Sequence, residues 1–203
     1  MVLSIPSKPS RSGIRNQFQC LPHRAMAAWL LLFSAIAFAQ AKPSDDDVKA
    51  ADLFNFGRFI RLNGVDASAQ QHPTFDICIL GHDPIGHVLD DVAAKEPIGK
   101  RAARIVRVPD AYAARECDMV FISADEGDGV HADLAALGNA DVLTVSDAPD
   151  FLKNGGMIQF VKQRSRVRFA VNLEAVSHTH LVLGSELLRV ALTVKGKSPE
   201  AQR

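Results

Sequence analysis

Cysteine is scarce: the chain has three, Cys20, Cys78 and Cys117, far too few for a scaffold built on disulfides. Tryptophan and tyrosine occur once each, as Trp29 and Tyr112. Neither sign of charge is in excess, with 23 Lys plus Arg against 23 Asp plus Glu, so the basic surplus of a nucleic-acid-binding protein is missing. No strict period recurs, which excludes repeat architectures. No apolar run reaches the roughly 20 residues that a spanning helix needs. What is present, 203 residues with 47% hydrophobic and 23% charged side chains, is enough for one domain with one core.

Residues 1–41 carry Lys8, Arg11, Arg15 and Arg24 but no acid, then the apolar run Ala25 to Ala39, then small residues at Ala37, Ala39 and Ala41. That order of basic, apolar and small residues is a secretory signal peptide, with the exported chain starting at Lys42. An uncleaved anchor is the rival reading, but the run is short and Asp45-Asp46-Asp47 follows it closely. Removing those four of the 23 basic groups leaves 19 against 23 acidic ones, a formal charge of −4 on residues 42–203. Export also leaves two cysteines, Cys78 and Cys117, and an even pair in an oxidising compartment reads as one disulfide. Cys78 lies in the first predicted strand and Cys117 just before the apolar strand Met119 to Ile122, and neighbouring strands come within disulfide range.

Apolar spacing near 3.6 predicts a first helix from Val48 through Leu62, ending by Asn63-Gly64. Thr74 to Leu80 is β-rich and stops at Gly81. Asp83-Pro84 then reads as an N-cap with Pro at the first position of a helix over 85–94. Ala103 to Val108 is a second strand, and Ala111 to Glu116 a short helix. Met119 to Ile122 and Val142 to Val145 are apolar throughout, as in strands covered on both faces, with a helix at Ala132 to Leu137 between them. Another short helix is expected around Phe151 and Leu152, stopped by Gly155-Gly156. Met157 to Lys162 and Val167 to Asn172 alternate and suit an antiparallel hairpin. Leu173 to Leu188 reads as largely helical, with a break at Gly184-Ser185, and the chain turns polar from about residue 196. The order implies an α/β three-layer sandwich: a mostly parallel sheet with a C-terminal antiparallel hairpin and helices on both faces. Residues 42–203 then form a single domain.

Candidate chemistry is sparse. The loop Gly81 to Gly86 sits where doubly wound folds bind ligands, but it lacks dinucleotide or P-loop glycine patterns and Asp83 opposes an anion, so a capping turn is favoured over an anion cradle. His72, His82, His87, His131, His178 and His180 lack ligand spacing, and two residues apart on a helix diverge by about 200°. Ser123 lacks a nucleophile elbow; Asp125, Glu126 and Asp128 suit the start of a following helix, and Asp45 to Asp47 and Asp90-Asp91 look solvated. Arg164, Arg166 and Arg168 make a local basic patch at the hairpin tip, read as a solvated turn or as the dock for an acidic partner.

In order, the first Phe-rich helix, FDICILGHDPIGHVLD from Phe75, CDMVFIS from Cys117, VLTVSD from Val142, GGMIQFV from Gly155 and VRFAVNLEAV from Val167 resemble the YfiR family. The Asp-Pro turn after the first strand and the double glycine before the hairpin are its most distinctive parts. The chain departs from the pattern at Phe59-Ile60-Arg61-Leu62, where many members carry an acid and Trp-Pro, and it lacks a second cysteine pair in Ser146 to Gly156.

The resemblance implies a periplasmic, non-enzymatic regulator with an α/β fold and a tendency to dimerise, needing no cofactor and no metal. It implies repression of a membrane-bound diguanylate cyclase through that enzyme's periplasmic region, with cyclic di-GMP, biofilm formation and motility downstream. Partner contacts are expected on the hairpin and last helix, at Arg164, Arg166, Arg168, Leu187 and Leu188. A periplasmic small-ligand-binding protein using the carboxyl-edge loops at Gly81, Ser123 and Ser146 is the rival reading, and an enzyme with a dispersed site is a weaker third.

Overall fold

Three consecutive aspartates open the first helix instead of preceding it. In the computed structural model α1 runs Asp45–Phe56, and Ser44 and Asp47 form a capping box: the Asp47 amide donates to Ser44 Oγ at 3.0 Å and the Ser44 amide to Asp47 Oδ2 at 2.8 Å. These carboxylates sit against the positive end of the helix dipole, with the Asp45 and Asp46 side chains still exposed, as the solvated reading expected. The structure describes residues 42–63, 73–127 and 129–196. All of these but Lys42 fall in the unit Pro43–Arg203. The expectations on the leader 1–41, on Gly64, His72 and Asp128, and on the tail beyond Gly196 lie outside the described residues.

The helix stops earlier than its apolar spacing predicts. A 3-10 turn, Gly57–Phe59, follows it, and Ile60–Leu62 leaves as strand β1. Gly57 packs so close to Phe75 and Ile98 that a Cβ there would stand 2.9 Å from the Ile98 Cδ1, which lets the chain turn against the sheet. Further along come β2 (Thr74–Leu80), α2 (Gly86–Ala93), β3 (Ala102–Val108), β4 (Met119–Ile122), α3 (Gly129–Leu137) and β5 (Leu143–Ser146). They are followed by β6 (Ile158–Gln163), β7 (Arg166–Asn172), α4 (Leu173–Val176), β8 (Leu181–Leu183), α5 (Ser185–Val190) and β9 (Thr193–Lys195).

Seven strands form one sheet in the order β3-β2-β4-β5-β6-β7-β9, and β1 pairs with β8 in a separate antiparallel ribbon. All neighbours in the large sheet run parallel except β6 and β7, the expected hairpin. Its turn residues Arg164 and Ser165 both have positive φ, 47° and 61°, the signature of a tight two-residue hairpin loop. One face of the sheet packs Phe75, Ile77, Ile79, Phe121 and Phe160 against α1, α2, α4 and α5; the other packs Cys78, Val120 and Ile122 against α3 and Phe151. Phe56 of α1 stacks on Phe160 at 5.7 Å and meets Phe169 edge-on at 4.8 Å, fixing the helix to the hairpin. The result is the three-layer α/β sandwich.

Several local expectations are corrected. The C-terminal helix is interrupted because the Ser177 and Thr179 hydroxyls donate to the Glu174 and Val176 carbonyls, at 2.7 and 2.8 Å, and end α4. His178 and His180 therefore lie in a turn, and the chain re-enters as β8, α5 and β9. The Phe151 segment is a turn, with the Phe151 ring filling the space that a side chain at Gly156 would need. Asp83 is not a cap: Ile85 occupies that position without a side-chain bond, and Asp83 instead accepts from Arg107 Nε at 2.9 Å. Asp90 also pairs with Arg107 and so is not merely solvated. Asp125 and Glu126 sit in a 3-10 turn capped by Ser123, not in the first turn of α3.

Candidate functional site

The carboxyl edge of the sheet, where loops at Gly81, Ser123 and Ser146 were expected to receive a ligand, is occupied by the protein's own groups. Ser146 Oγ donates to the Ile122 carbonyl at 2.6 Å and accepts from the Ala148 amide at 2.9 Å. Lys49 Nζ reaches over from α1 to Asp147 at 2.8 Å and Asp46 at 3.2 Å, while the other Asp147 oxygen accepts from the Ala124 amide at 3.1 Å. Burial alone would push the Lys49 ammonium down, but these carboxylates more than offset it and hold its pKa above the ordinary value. The Glu126 side chain lies against Gly81, whose φ of 85° only glycine adopts readily. Arg107 is clamped between Asp90 and Asp83, so the Gly81 to Gly86 loop is tied to β3.

An open cavity lies at the opposite edge. It measures about 370 Å³ and is lined by Arg61 and Leu181 of the ribbon, Phe75 and Arg101 of the β2–β3 edge, and Arg115 and Asp118 before β4, with Cys117 in its wall. Arg101 donates to Asp118 Oδ1 at 2.6 Å and to the Thr74 carbonyl at 3.2 Å, and its guanidinium lies 4.7 Å from the centre of the Phe75 ring. The second Asp118 oxygen accepts from the Asp76 amide at 2.8 Å. Asp76 itself is buried in β2 and pairs with Arg104 of β3. Asp141, which also lines the cavity, accepts from the His180 amide at 2.8 Å and pairs with its ring at 3.0 Å.

At the hairpin, Gln163, Arg164, Arg166 and Arg168 line a second concavity of about 380 Å³. Arg168 donates to the Val190 carbonyl at 3.2 Å, so the structure does bring the basic turn and the last helix together. Val190 is 58% exposed. Leu187, by contrast, is buried in the core beneath α5, and Leu188 is half-buried against the same core. Leu187 is therefore corrected as a surface contact: the 3.6-residue period turns it inward.

Comparison with known proteins decides the family. The sequence matches the family described as YfiR/HmsC-like (DUF4154) over residues 46–192. The chain belongs to the YfiR/HmsC-like family. Its relatives are periplasmic regulators of a diguanylate cyclase. No curated protein matches it. Among solved structures it is similar to a conserved domain protein from Vibrio cholerae O1 biovar El Tor, with 11% identity and a TM-score of 0.47, covering 60% of this chain and 55% of that one. That likeness is too slight to carry an argument.

In this YfiR/HmsC-like chain Cys78 and Cys117 are bonded, with Cα atoms 6.1 Å apart. No helix among the described residues is long and apolar enough to cross a membrane. The amino-edge cavity is the feature that sequence reasoning missed. Arg101, Asp118 and Asp141 come from three separate strand entries, and the only signal was that an Arg or Asp precedes each apolar run.

Proposed function

We propose that the protein is exported, loses residues 1–41, and represses a membrane-bound diguanylate cyclase by binding that enzyme's periplasmic region, so limiting cyclic di-GMP. Family membership across residues 46–192 supports this reading. The observation that carries it in the fold is the hairpin concavity beside exposed Val190, which offers charge and an apolar contact on one surface. The carboxyl edge, where an α/β enzyme would keep its site, is spent on internal pairs. The experiment is gene deletion: cyclic di-GMP rises only in cells that keep the partner cyclase. An equal rise in cells lacking every cyclase with a periplasmic sensor region would sink the proposal. Mass spectrometry of the envelope protein checks the start at Lys42.

A second reading, a small-ligand-binding protein, is favoured by the amino-edge cavity, where guanidinium, carboxylate and aromatic groups converge. It moves the ligand from the carboxyl-edge loops to the opposite edge. Calorimetry with small amphipathic anions, comparing wild type with Arg101→Gln, tests it.

A further inference from the structure

We infer that the β6–β7 hairpin is a dock for an acidic, extended segment of a partner protein, read by Arg166 and Arg168 and capped by Arg164. This deepens the regulator reading by naming the chemistry of the contact. Arg168 lies opposite Val161 and Arg166 opposite Gln163, so both side chains start from the same face of the hairpin, with the Arg168 guanidinium held at the Val190 carbonyl. They stand two residues apart on β7, a spacing of about 6.6 Å that matches Asp or Glu at alternate positions of an extended chain. Arg164 is added at the turn, on a backbone fixed by two consecutive left-handed residues. Neighbouring Lys162 is already paired with Asp45, but among the described residues no acid bridges Arg164 or Arg166. Arg168 is already within electrostatic reach of the Asp52 carboxylate, so Arg164 and Arg166 are the like charges left in the concavity, and a bound carboxylate relieves their repulsion through bidentate, charge-assisted bonds.

Two observations favour a protein over an anionic membrane. The tip, Gln163-Arg164-Ser165-Arg166, has no aromatic or large apolar side chain to insert into lipid. Residues 42–203 carry a formal −4, so an extended anionic surface is repelled by most of the molecule, whereas a narrow acidic segment meets only the hairpin. Gln159, Val161 and Ala170 continue the same face as half-buried, uncharged side chains, and Val190 adds an apolar contact at its margin.

The test titrates the full exported chain with a fluorescent peptide of alternating Glu and Val, and with the same peptide carrying Gln for Glu. The Glu peptide binds and the Gln peptide does not; about 0.5 M salt abolishes binding. Arg166→Gln with Arg168→Gln weakens it about tenfold or more, the double Lys variant restores part because it keeps charge but not the fork, and Lys153→Gln leaves it unchanged. Circular dichroism confirms that each variant is folded. Equal binding of both peptides, or tighter binding to phosphatidylglycerol vesicles than to the Glu peptide, overturns the inference. In cells, complementation of the deletion separates the two ideas. If deletion fails to raise cyclic di-GMP, the regulator reading fails while the peptide result still stands. If deletion raises it and the folded double Gln variant represses as fully as wild type, the hairpin contact is refuted.

Discussion

Reducing the Cys78–Cys117 bond removes a cross-link between β2 and the segment entering β4, between residues 39 positions apart in the chain. The enclosed stretch contains α2, β3 and the Ala113–Glu116 turn, and among the described residues β3 is an edge strand whose one neighbour is β2. In the chain-entropy treatment a closed loop of about 40 residues stabilises the fold by roughly 4 kcal/mol. A domain of this size has about 5–15 kcal/mol in all, so the bond is a large fraction. At about 2–4 °C per kcal/mol for a chain of this length, melting should fall by roughly 8–16 °C. The effect should also be local: amides of Ala102–Val108 should lose exchange protection before those of β4 and β5, which are flanked by strands on both sides. The assay is thermal unfolding of oxidised and reduced protein, with thiols counted by mass spectrometry and exchange followed on both forms. An unchanged melting temperature in protein shown to be fully reduced would refute the reasoning, as would uniform loss of protection across the sheet.

Asp76→Asn should lower stability by about 1–3 kcal/mol in urea unfolding, because the buried carboxylate accepts from Thr74 and pairs with Arg104 and an amide cannot replace both. Gly156→Ala should cost about 1–3 kcal/mol by the same measure, since its Cβ would overlap the buried Phe151 ring. Burial, then Glu126, pushes the Asp133 carboxyl above its ordinary 3.8, and one of its oxygens has no hydrogen-bond partner. A raised carboxyl pKa means the folded state is favoured at low pH and penalised as pH rises through the folded value. Asp133→Asn should therefore melt higher than wild type at pH 7, and the advantage should shrink as pH falls through the raised folded value and fade below the ordinary 3.8, where the carboxyl is protonated in both states.

The sheet was legible where both faces are buried. Thr74–Leu80 and Met119–Ile122 could be read to the residue, because burial on two sides demands apolar and β-branched side chains, a run interrupted in the first strand only by the paired Asp76. The hairpin was legible because only one face is covered and the residues alternate. Helix ends were not: Ile60–Leu62 keeps helical spacing but pairs with Leu181–Leu183, more than a hundred positions away. The break at Ser177 and Thr179 depends on hydroxyls choosing local carbonyls over solvent, which composition does not reveal. Of the candidate surface, the arginines were visible as a cluster, whereas the inward turn of Leu187 and the proximity of Val190 needed the packing of α5 on β7. The pairing of Lys49 with Asp147 joins residues 98 apart, and no spacing rule reaches that far.

The hairpin tip holds an arginine and a serine where asparagine and glycine would sit with least strain. Left-handed backbone at a residue with a Cβ costs on the order of 1 kcal/mol each time. The sequence thus keeps a cation at the apex at the expense of the easiest turn, and swapping in Asn-Gly would exchange charge for ease of folding. A hairpin optimised to close quickly and one optimised to present a guanidinium are different sequences, and this chain carries the second.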